Sequence, residues 1–156
     1  MGINLFKRFK PKAIASAILM LSMLIMPVKS VFALDAPLQS LDINGTNIYS
    51  TLGGYNAGHG IAGVTFDDVN KVLTLTDVML QNIHASGDLD IVIVGTNVIT
   101  ALTDSAALLA MGGDLTITGD SATLTVSGLS SSAPAISIGA GGRLTIGGVG
   151  TAITVT

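Results

Sequence analysis

Apolar and polar residues alternate along several short segments of this chain. In the segment Leu73-Thr74-Leu75-Thr76, the leucines point to one side of an extended strand and the threonines to the other, because side chains alternate across a strand. The same alternation returns at short intervals as far as Thr156, which predicts a series of strands that each bury one row of side chains. The predicted inward residues are Leu73, Leu75, Leu89, Ile91, Ile93, Leu115, Ile117, Leu124, Val126, Leu144, Ile146, Ile153 and Val155.

Three of these segments repeat one another closely. Their sequences are GDLDI, GDLTI and GRLTI, and they begin at Gly87, Gly113 and Gly142. Nearly even spacing, at an interval within the roughly 20–50 residues of known repeat proteins, is typical of a solenoid when the repeat is built from strands and turns. We therefore expect an all-β fold, a parallel β-helix (β-solenoid) of three to four rungs in which like residues stack about 4.8 Å apart. A second alternating segment follows each repeat, at Asn97 to Thr100, Thr123 to Ser127 and Ala152 to Thr156.

Residues 34–63 differ from the repeats. Asn44-Gly45 is a hairpin signal within Leu41 to Ser50, and the segment from Thr51 to Gly63 is rich in glycine. We expect a hairpin followed by a glycine-rich loop, which together cap a solenoid formed by residues 64–156.

The last segment stops in the middle of a predicted strand, at Thr156. An uncapped end of a solenoid exposes apolar side chains and unpaired backbone groups. We favour the interpretation that the solenoid is truncated here and that the sequence is a fragment of a longer surface protein with further domains. The alternative is that this end pairs with another subunit.

Residues 1–33 have the composition of an export signal. Four basic residues precede an apolar run from Ala13 to Met26, and Val31-Phe32-Ala33 offers a cleavage site. The run is shorter than the roughly 20 residues that a membrane-spanning helix needs. We expect Sec-type export with cleavage after Ala33, a secreted or cell-surface location and no stable membrane insertion. A retained membrane anchor is the competing interpretation.

Removal of residues 1–33 makes the chain strongly acidic. Lys71 and Arg143 are then the two basic residues against ten aspartates, which gives a net charge of −8. Such a chain is poorly suited to binding the phosphates of nucleic acids. With no cysteine, an exported chain also cannot be a disulfide scaffold.

From residue 40 to residue 156, the chain resembles a known family. The resemblance rests on residues 64–78 (VTFDDVNKVLTLTDV) and on short phrases in residues 83–89, 95–97 and 115–119. These segments look like those of bacterial secreted right-handed parallel β-helix proteins, which are usually described as surface proteins that contain a carbohydrate-binding domain. The resemblance implies that polysaccharide is the partner, and the family also includes pectate-lyase-like members. The chain is shorter than a full member and has few aromatic residues.

Alignment of the repeats places Asp88, Asp114 and Arg143 in one outward column. Two carboxylates one strand spacing apart repel each other unless a cation lies between them, and Ca²⁺ suits such oxygen ligands. Arg143 could instead form an exposed ion pair with Asp114. A third interpretation is that these side chains are solvated and that aspartate follows glycine because it favours turns.

A sugar-binding site usually presents an aromatic ring beside polar groups. The aromatic residues after Ala33 cluster around the glycine-rich loop. The predicted sugar-binding residues are Tyr49, Tyr55, Asn56 and His59. The alternative is that Phe66 belongs to the core and that the tyrosines cover the N-terminal end of the solenoid.

The chemistry of a polysaccharide lyase is the main alternative to simple binding. β-Elimination on a uronate polymer needs a base and a cationic group that stabilises the carboxylate. After Ala33, only Arg143 and Lys71 could supply that cation, so we expect a non-enzymatic module that binds polysaccharide or serves as an adhesive or structural unit.

Paired outward threonines suggest ice binding as a minor alternative. Hydroxyl pairs occur at Thr116-x-Thr118, Thr125-x-Ser127 and Thr154-x-Thr156. In the sequence these columns are interrupted by Val92 and Gly147, and threonine is in any case a favoured strand residue.

Overall fold

The computed structural model describes residues 36–130 and 133–156. These residues contain fifteen β-strands in three sheets and no α-helix, so the predicted all-β class is confirmed. Among the same residues, no helix is long and apolar enough to cross a membrane. The signal peptide predicted for residues 1–33 lies outside the described residues.

The strands are short, between two and six residues each. In chain order they are β1 (Ser40–Ile43), β2 (Thr46–Ser50), β3 (Gly54–Tyr55), β4 (Val64–Asp67), β5 (Val72–Thr76), β6 (Met79–Leu80), β7 (Ile83–Ser86), β8 (Leu89–Val94), β9 (Thr96–Thr100), β10 (Leu108–Met111), β11 (Leu115–Gly119), β12 (Thr123–Ser127), β13 (Ile136–Ile138), β14 (Leu144–Gly147) and β15 (Ala152–Val155).

The three sheets combine a parallel body with antiparallel additions at one end. The first sheet has the order β13-β10-β7-β1-β2-β3, the second β14-β11-β8-β5-β4 and the third β15-β12-β9-β6. In the first sheet β7, β10 and β13 are parallel, whereas β1, β2 and β3 are antiparallel to their neighbours. In the second sheet only the pair β4 and β5 is antiparallel. All pairs of the third sheet are parallel.

From β7 onward, the chain visits the first, second and third sheets in that order, three times in succession. The repeated segments pair in the register that their alignment predicts, with Leu89 beside Leu115 and Leu115 beside Leu144. The second segments pair likewise, as β9, β12 and β15. The strands of the first sheet at Leu108–Met111 and Ile136–Ile138 are not predicted from the sequence. Leu108–Met111 does not alternate apolar and polar residues, so its sequence carries a weak strand signal.

Side chains from all three sheets form one apolar core. The predicted inward residues from Leu73 to Val126 are buried there. The predicted inward residues of the last two strands are more accessible, with Leu144 at 41%, Ile146 at 50% and Val155 at 53% exposure. They lie on the outermost strand of each sheet, so no further strand of the described residues packs over them.

The glycines of the repeat are required because backbones of successive repeats approach closely at this position. A Cβ atom on Gly113 would lie 2.2 Å from the carbonyl carbon of Gly87. A Cβ atom on Gly142 would lie 2.2 Å from the carbonyl oxygen of Gly113. Neither backbone can move away without breaking the parallel pairing on either side of the turn, so each repeat keeps a glycine here.

The predicted hairpin at Asn44-Gly45 joins β1 and β2. Both turn residues have positive φ, 53° for Asn44 and 75° for Gly45, as expected for a two-residue hairpin turn. The glycine-rich loop is less irregular than predicted, since Gly54 and Tyr55 form β3 and pair with β2.

Candidate functional site

The aspartate column joins successive repeats through backbone hydrogen bonds. The backbone N–H of Asp114 donates to Oδ1 of Asp88 over 2.7 Å, and the N–H of Arg143 donates to Oδ1 of Asp114 over 2.8 Å. Asp77 and Asp120 accept backbone N–H groups in the same manner. One carboxylate oxygen of each aspartate in the column therefore has a structural partner.

These bonds bear on the predicted calcium site. Ca²⁺ takes six to eight oxygen ligands, whereas Asp88 and Asp114 each have one oxygen bound to an N–H group. Within the described ranges, no group of three or more histidine, cysteine, aspartate or glutamate residues is placed to hold a metal ion. Arg143 meets Asp114 through its backbone N–H. The geometry gives the aspartate column a role in stacking the repeats.

The predicted aromatic residues lie together. The ring of Phe66 is 5.4 Å from that of Tyr49 and 5.7 Å from that of Tyr55, and Tyr55 lies 6.2 Å from the ring of His59, centroid to centroid. Phe66 and Tyr49 are buried, with 6% and 7% of their surface exposed. Tyr49 therefore packs mainly against the core and leaves only a small part of its side chain accessible, while Tyr55 and His59 are half-buried.

Asn56 and His59 shape the glycine-rich loop. Nδ2 of Asn56 donates to the carbonyl oxygen of Asn47 over 3.1 Å, and its Oδ1 accepts from the N–H of Gly58 over 3.2 Å. Nδ1 of His59 accepts from the N–H of Ile61 over 3.1 Å. The side chain of Asn56 and one ring nitrogen of His59 thus hold the loop, although Asn56 is exposed.

Two of the predicted site residues, Tyr49 and Asp88, line the same pocket. This pocket, which we call the Tyr49 cleft, has a volume of about 340 Å³, within the usual range for small-ligand sites. Pro37, Leu38 and Tyr49 form its apolar wall. Its polar lining consists of Gln39, Thr51, Asn70, Lys71, Asp88 and Asp90.

The turn between β4 and β5 places Asn70 and Lys71 at the cleft. Oδ1 of Asp67 accepts the backbone N–H groups of Val69 and Asn70, and its Oδ2 accepts Nδ2 of Asn70 over 2.7 Å. The side-chain hydrogen bond from Asn70 is the main reason that the pKa of Asp67 is lowered. Lys71 then takes a left-handed backbone conformation, with φ 57°, which ends the turn and starts β5.

The ammonium group of Lys71 is already engaged by the protein. Its Nζ donates to the backbone oxygen and to Oδ1 of Asp68, the latter over 2.5 Å, and lies 4.0 Å from the ring centroid of Tyr49. The hydrogen bond with Asp68 is the main cause that raises the pKa of Lys71, against an opposing effect of desolvation. Asp68 thus takes up two of the three donors of the ammonium group, in an ion pair whose two side chains are partly exposed.

The acidic groups of the cleft are more available. The N–H of Asp114 donates to Oδ1 of Asp88. No described residue donates a hydrogen bond to Oδ2 of Asp88. Asp90 is exposed, and no described residue donates to its carboxylate. The cleft therefore presents hydrogen-bond acceptors to a ligand, beside the apolar wall.

Asn70, Lys71 and Asp90 line this cleft but were not predicted from the sequence as site residues. A signal existed for Asp90, because the corresponding positions of the other repeats hold Thr116 and Thr145, so its charge departs from the repeat. No comparable signal marked Asn70 and Lys71, which read as ordinary turn residues. Their position beside Tyr49 depends on how the hairpin β4–β5 packs.

The grouping of the threonine pairs is corrected by the sheet assignment. Thr116 and Thr118 lie in β11 of the second sheet, whereas Thr125 and Ser127 lie in β12 of the third. The pairs therefore belong to two different faces of the protein, because the chain turns between the two strands.

Comparison of the chain with protein-family models, with curated protein sequences and with solved structures finds no match.

Proposed function

We propose that this chain is an exported, non-enzymatic module with a right-handed parallel β-helix fold, and that it binds polysaccharide in the Tyr49 cleft. The observation that carries the binding proposal is the lining of the cleft, in which an apolar wall lies beside free carboxylate oxygens of Asp88 and Asp90. Sugars are recognised by such a combination of apolar contact and polar groups placed for their hydroxyls.

The fold proposal is supported by the path of the chain. Three sheets visited in a fixed order, with parallel and residue-for-residue pairing between repeats, are what a β-helix requires. The stacked glycines Gly87, Gly113 and Gly142 support the same interpretation. The resemblance of residues 40–156 to secreted β-helix proteins is the reason that we propose polysaccharide as the partner and export as the destination.

The charges of the cleft favour some glycans over others. Its free groups at Asp88 and Asp90 are acceptors, and Lys71, the cation among its described lining residues, is held by Asp68. Ligands rich in donors, namely neutral sugars and amino sugars, fit this arrangement. A uronate polymer would bring carboxylates towards carboxylates, which costs free energy. The pectate-lyase-like alternative is disfavoured for the same reason, because its chemistry needs a cation at the substrate carboxylate.

Titration calorimetry against three oligosaccharides of matched length tests the proposal. Cello-oligosaccharide is neutral, glucosamine oligosaccharide is cationic and oligogalacturonate is anionic. We expect binding of at least one of the first two and none of the third. A folded protein that binds none of them contradicts the binding proposal, and release of unsaturated, ultraviolet-absorbing product from oligogalacturonate would establish the lyase instead.

A pair of variants locates the site. Asp90→Ala removes a free acceptor from the cleft, and we expect the Kd to rise about tenfold, as for the loss of one hydrogen bond to a charged group. Asp104→Ala is the matched control, because Asp104 is also exposed but does not line the cleft. Equal affinities for the two variants would place the binding elsewhere. Export is tested separately, by N-terminal sequencing of protein secreted by a bacterial host, where Leu34 is the expected first residue.

A further inference from the structure

Three parallel strands of the third sheet carry an outward face on which seven of nine side chains are hydroxyls. The strands β9, β12 and β15 pair residue for residue, so their outward side chains form three columns across the sheet. We call these columns together the hydroxyl face. They are Thr96–Thr123–Ala152, Val98–Thr125–Thr154 and Thr100–Ser127–Thr156.

The side chains of the hydroxyl face are accessible, and the residues between them are not. Thr96, Thr100 and Thr123 are exposed, and Thr125 is half-buried. The alternate positions of β9 and β12 point into the core and are buried, each with at most 1% of its surface exposed. The strict alternation keeps the outward side chains on one side of the sheet.

The regular pairing spaces these hydroxyls in two directions. Neighbouring strands are about 4.8 Å apart, and outward residues along one strand are about 6.7 Å apart, twice the rise per residue. In the third column, the hydroxyls of Ser127 and Thr156 approach to 2.9 Å, so side chains of adjacent strands are aligned. Both spacings are close to repeats of the oxygen positions on faces of an ice crystal.

Charge is absent from this face although the rest of the chain is acidic. The strands β9, β12 and β15 contain no charged residue, while the described residues hold nine aspartates elsewhere. The outward face of the second sheet differs, because Asp90, Val92 and Gly147 interrupt its threonines. Those interruptions, which in the sequence argue against ice binding, therefore lie on another face.

From this arrangement we infer that the hydroxyl face binds ice. Threonine offers a hydroxyl that bonds to an ordered water and a methyl group that excludes disordered water beside it. Stacking of sugar rings would need aromatic side chains, which these columns do not contain, and a charged partner would need opposite charges. Ordered water in ice is uncharged, and its oxygen positions repeat at spacings close to those of the hydroxyls, so it matches the face. This activity is independent of glycan binding in the Tyr49 cleft.

Inhibition of ice recrystallisation by the purified protein tests the inference, with three variants. Thr125→Lys places an ammonium group at the centre of the face. We expect at least about a tenfold rise in the protein concentration needed to inhibit recrystallisation, because that charge would have to be desolvated against ice. Thr118→Lys is the matched control, since it makes the same exchange on the interrupted face of the second sheet. Val98→Thr completes the central column and should leave the activity equal or stronger.

The outcomes separate clearly. Inhibition by the wild-type protein that is lost in Thr125→Lys and kept in Thr118→Lys supports ice binding at the hydroxyl face. A folded wild-type protein without inhibition overturns the inference, and so does an equal loss in both lysine variants. Urea midpoints of all variants show that each is folded, and Val98→Thr gives a test that does not depend on loss of function.

Discussion

Asn97 is a fully buried polar residue in β9, with 0% of its surface exposed. Its Oδ1 accepts the backbone N–H of Val78 over 3.2 Å. Its Nδ2 donates to the carbonyl oxygens of Val94 over 3.0 Å and Thr123 over 3.4 Å. The side chain thus satisfies backbone groups of three chain segments at once, and Asn97→Ala should be among the most destabilising single substitutions in this protein.

The magnitude follows from these bonds. Alanine removes the acceptor of the Val78 N–H group, and a buried donor without a partner costs about 1–3 kcal/mol. Loss of the two hydrogen bonds that Nδ2 donates adds about 0.5–1.5 kcal/mol each. The 3.4 Å bond to Thr123 contributes the smaller amount, because it is the longer of the two. We expect the free energy of unfolding to fall by about 2–5 kcal/mol, a large part of the roughly 5–15 kcal/mol that is typical of folded proteins.

Urea unfolding followed by circular dichroism measures this loss. Asn56→Ala is the control, because Asn56 also makes two side-chain hydrogen bonds but is exposed, and its loss should stay below about 1 kcal/mol. Asn97→Asp adds a sign test. At neutral pH its carboxylate would face two carbonyl oxygens, so its pKa should be raised and the variant should regain stability as the pH falls. A loss for Asn97→Ala no larger than that for Asn56→Ala would refute the reasoning.

Three further predictions concern the repeats and the turn between β4 and β5. Gly113→Ala should lower the free energy of unfolding by about 1–3 kcal/mol or more, because its new methyl group overpacks the turn. Gly147→Ala is the control and should be nearly neutral, since its new Cβ would meet nothing closer than 3.6 Å. Equal urea midpoints for the two variants would contradict the stacking of the glycines. Asp114→Ala should cost about 0.5–1.5 kcal/mol by removing an exposed acceptor, and Asp114→Asn, which keeps an oxygen there, should cost less. The pKa of Asp67 is lowered in the folded state, so its contribution to stability is present above the unfolded pKa near 3.8 and is lost as the pH falls through the folded pKa. Asp67→Asn should therefore reduce the loss of stability at acidic pH in a plot of urea midpoint against pH. An unchanged loss at acidic pH would count against this role of Asp67.

Most of the strand pattern could be predicted from the sequence, because it depends on neighbours along the chain. The alternation in β5, β8 and β12 and the glycine-initiated repeat follow from the two-residue period of strands and from the close approach of backbones at Gly113. β10 was not predicted because Leu108–Met111 is apolar on both sides of the strand. Its outward residues Leu109 and Met111 give no contrast with the buried ones, and only pairing with β7 defines it as a strand.

The candidate sites depended on tertiary structure. Tyr49 and Asp88 are far apart in the sequence, yet they line one cleft together with a lysine whose charge is taken up by Asp68. In the same way, Thr118 and Thr125 look equivalent in the sequence and lie on different sheets. Local periodicity determines which side of a strand a residue occupies. The direction in which the chain leaves each turn decides which sheet that strand joins, and that direction is selected by packing against residues far away in the sequence.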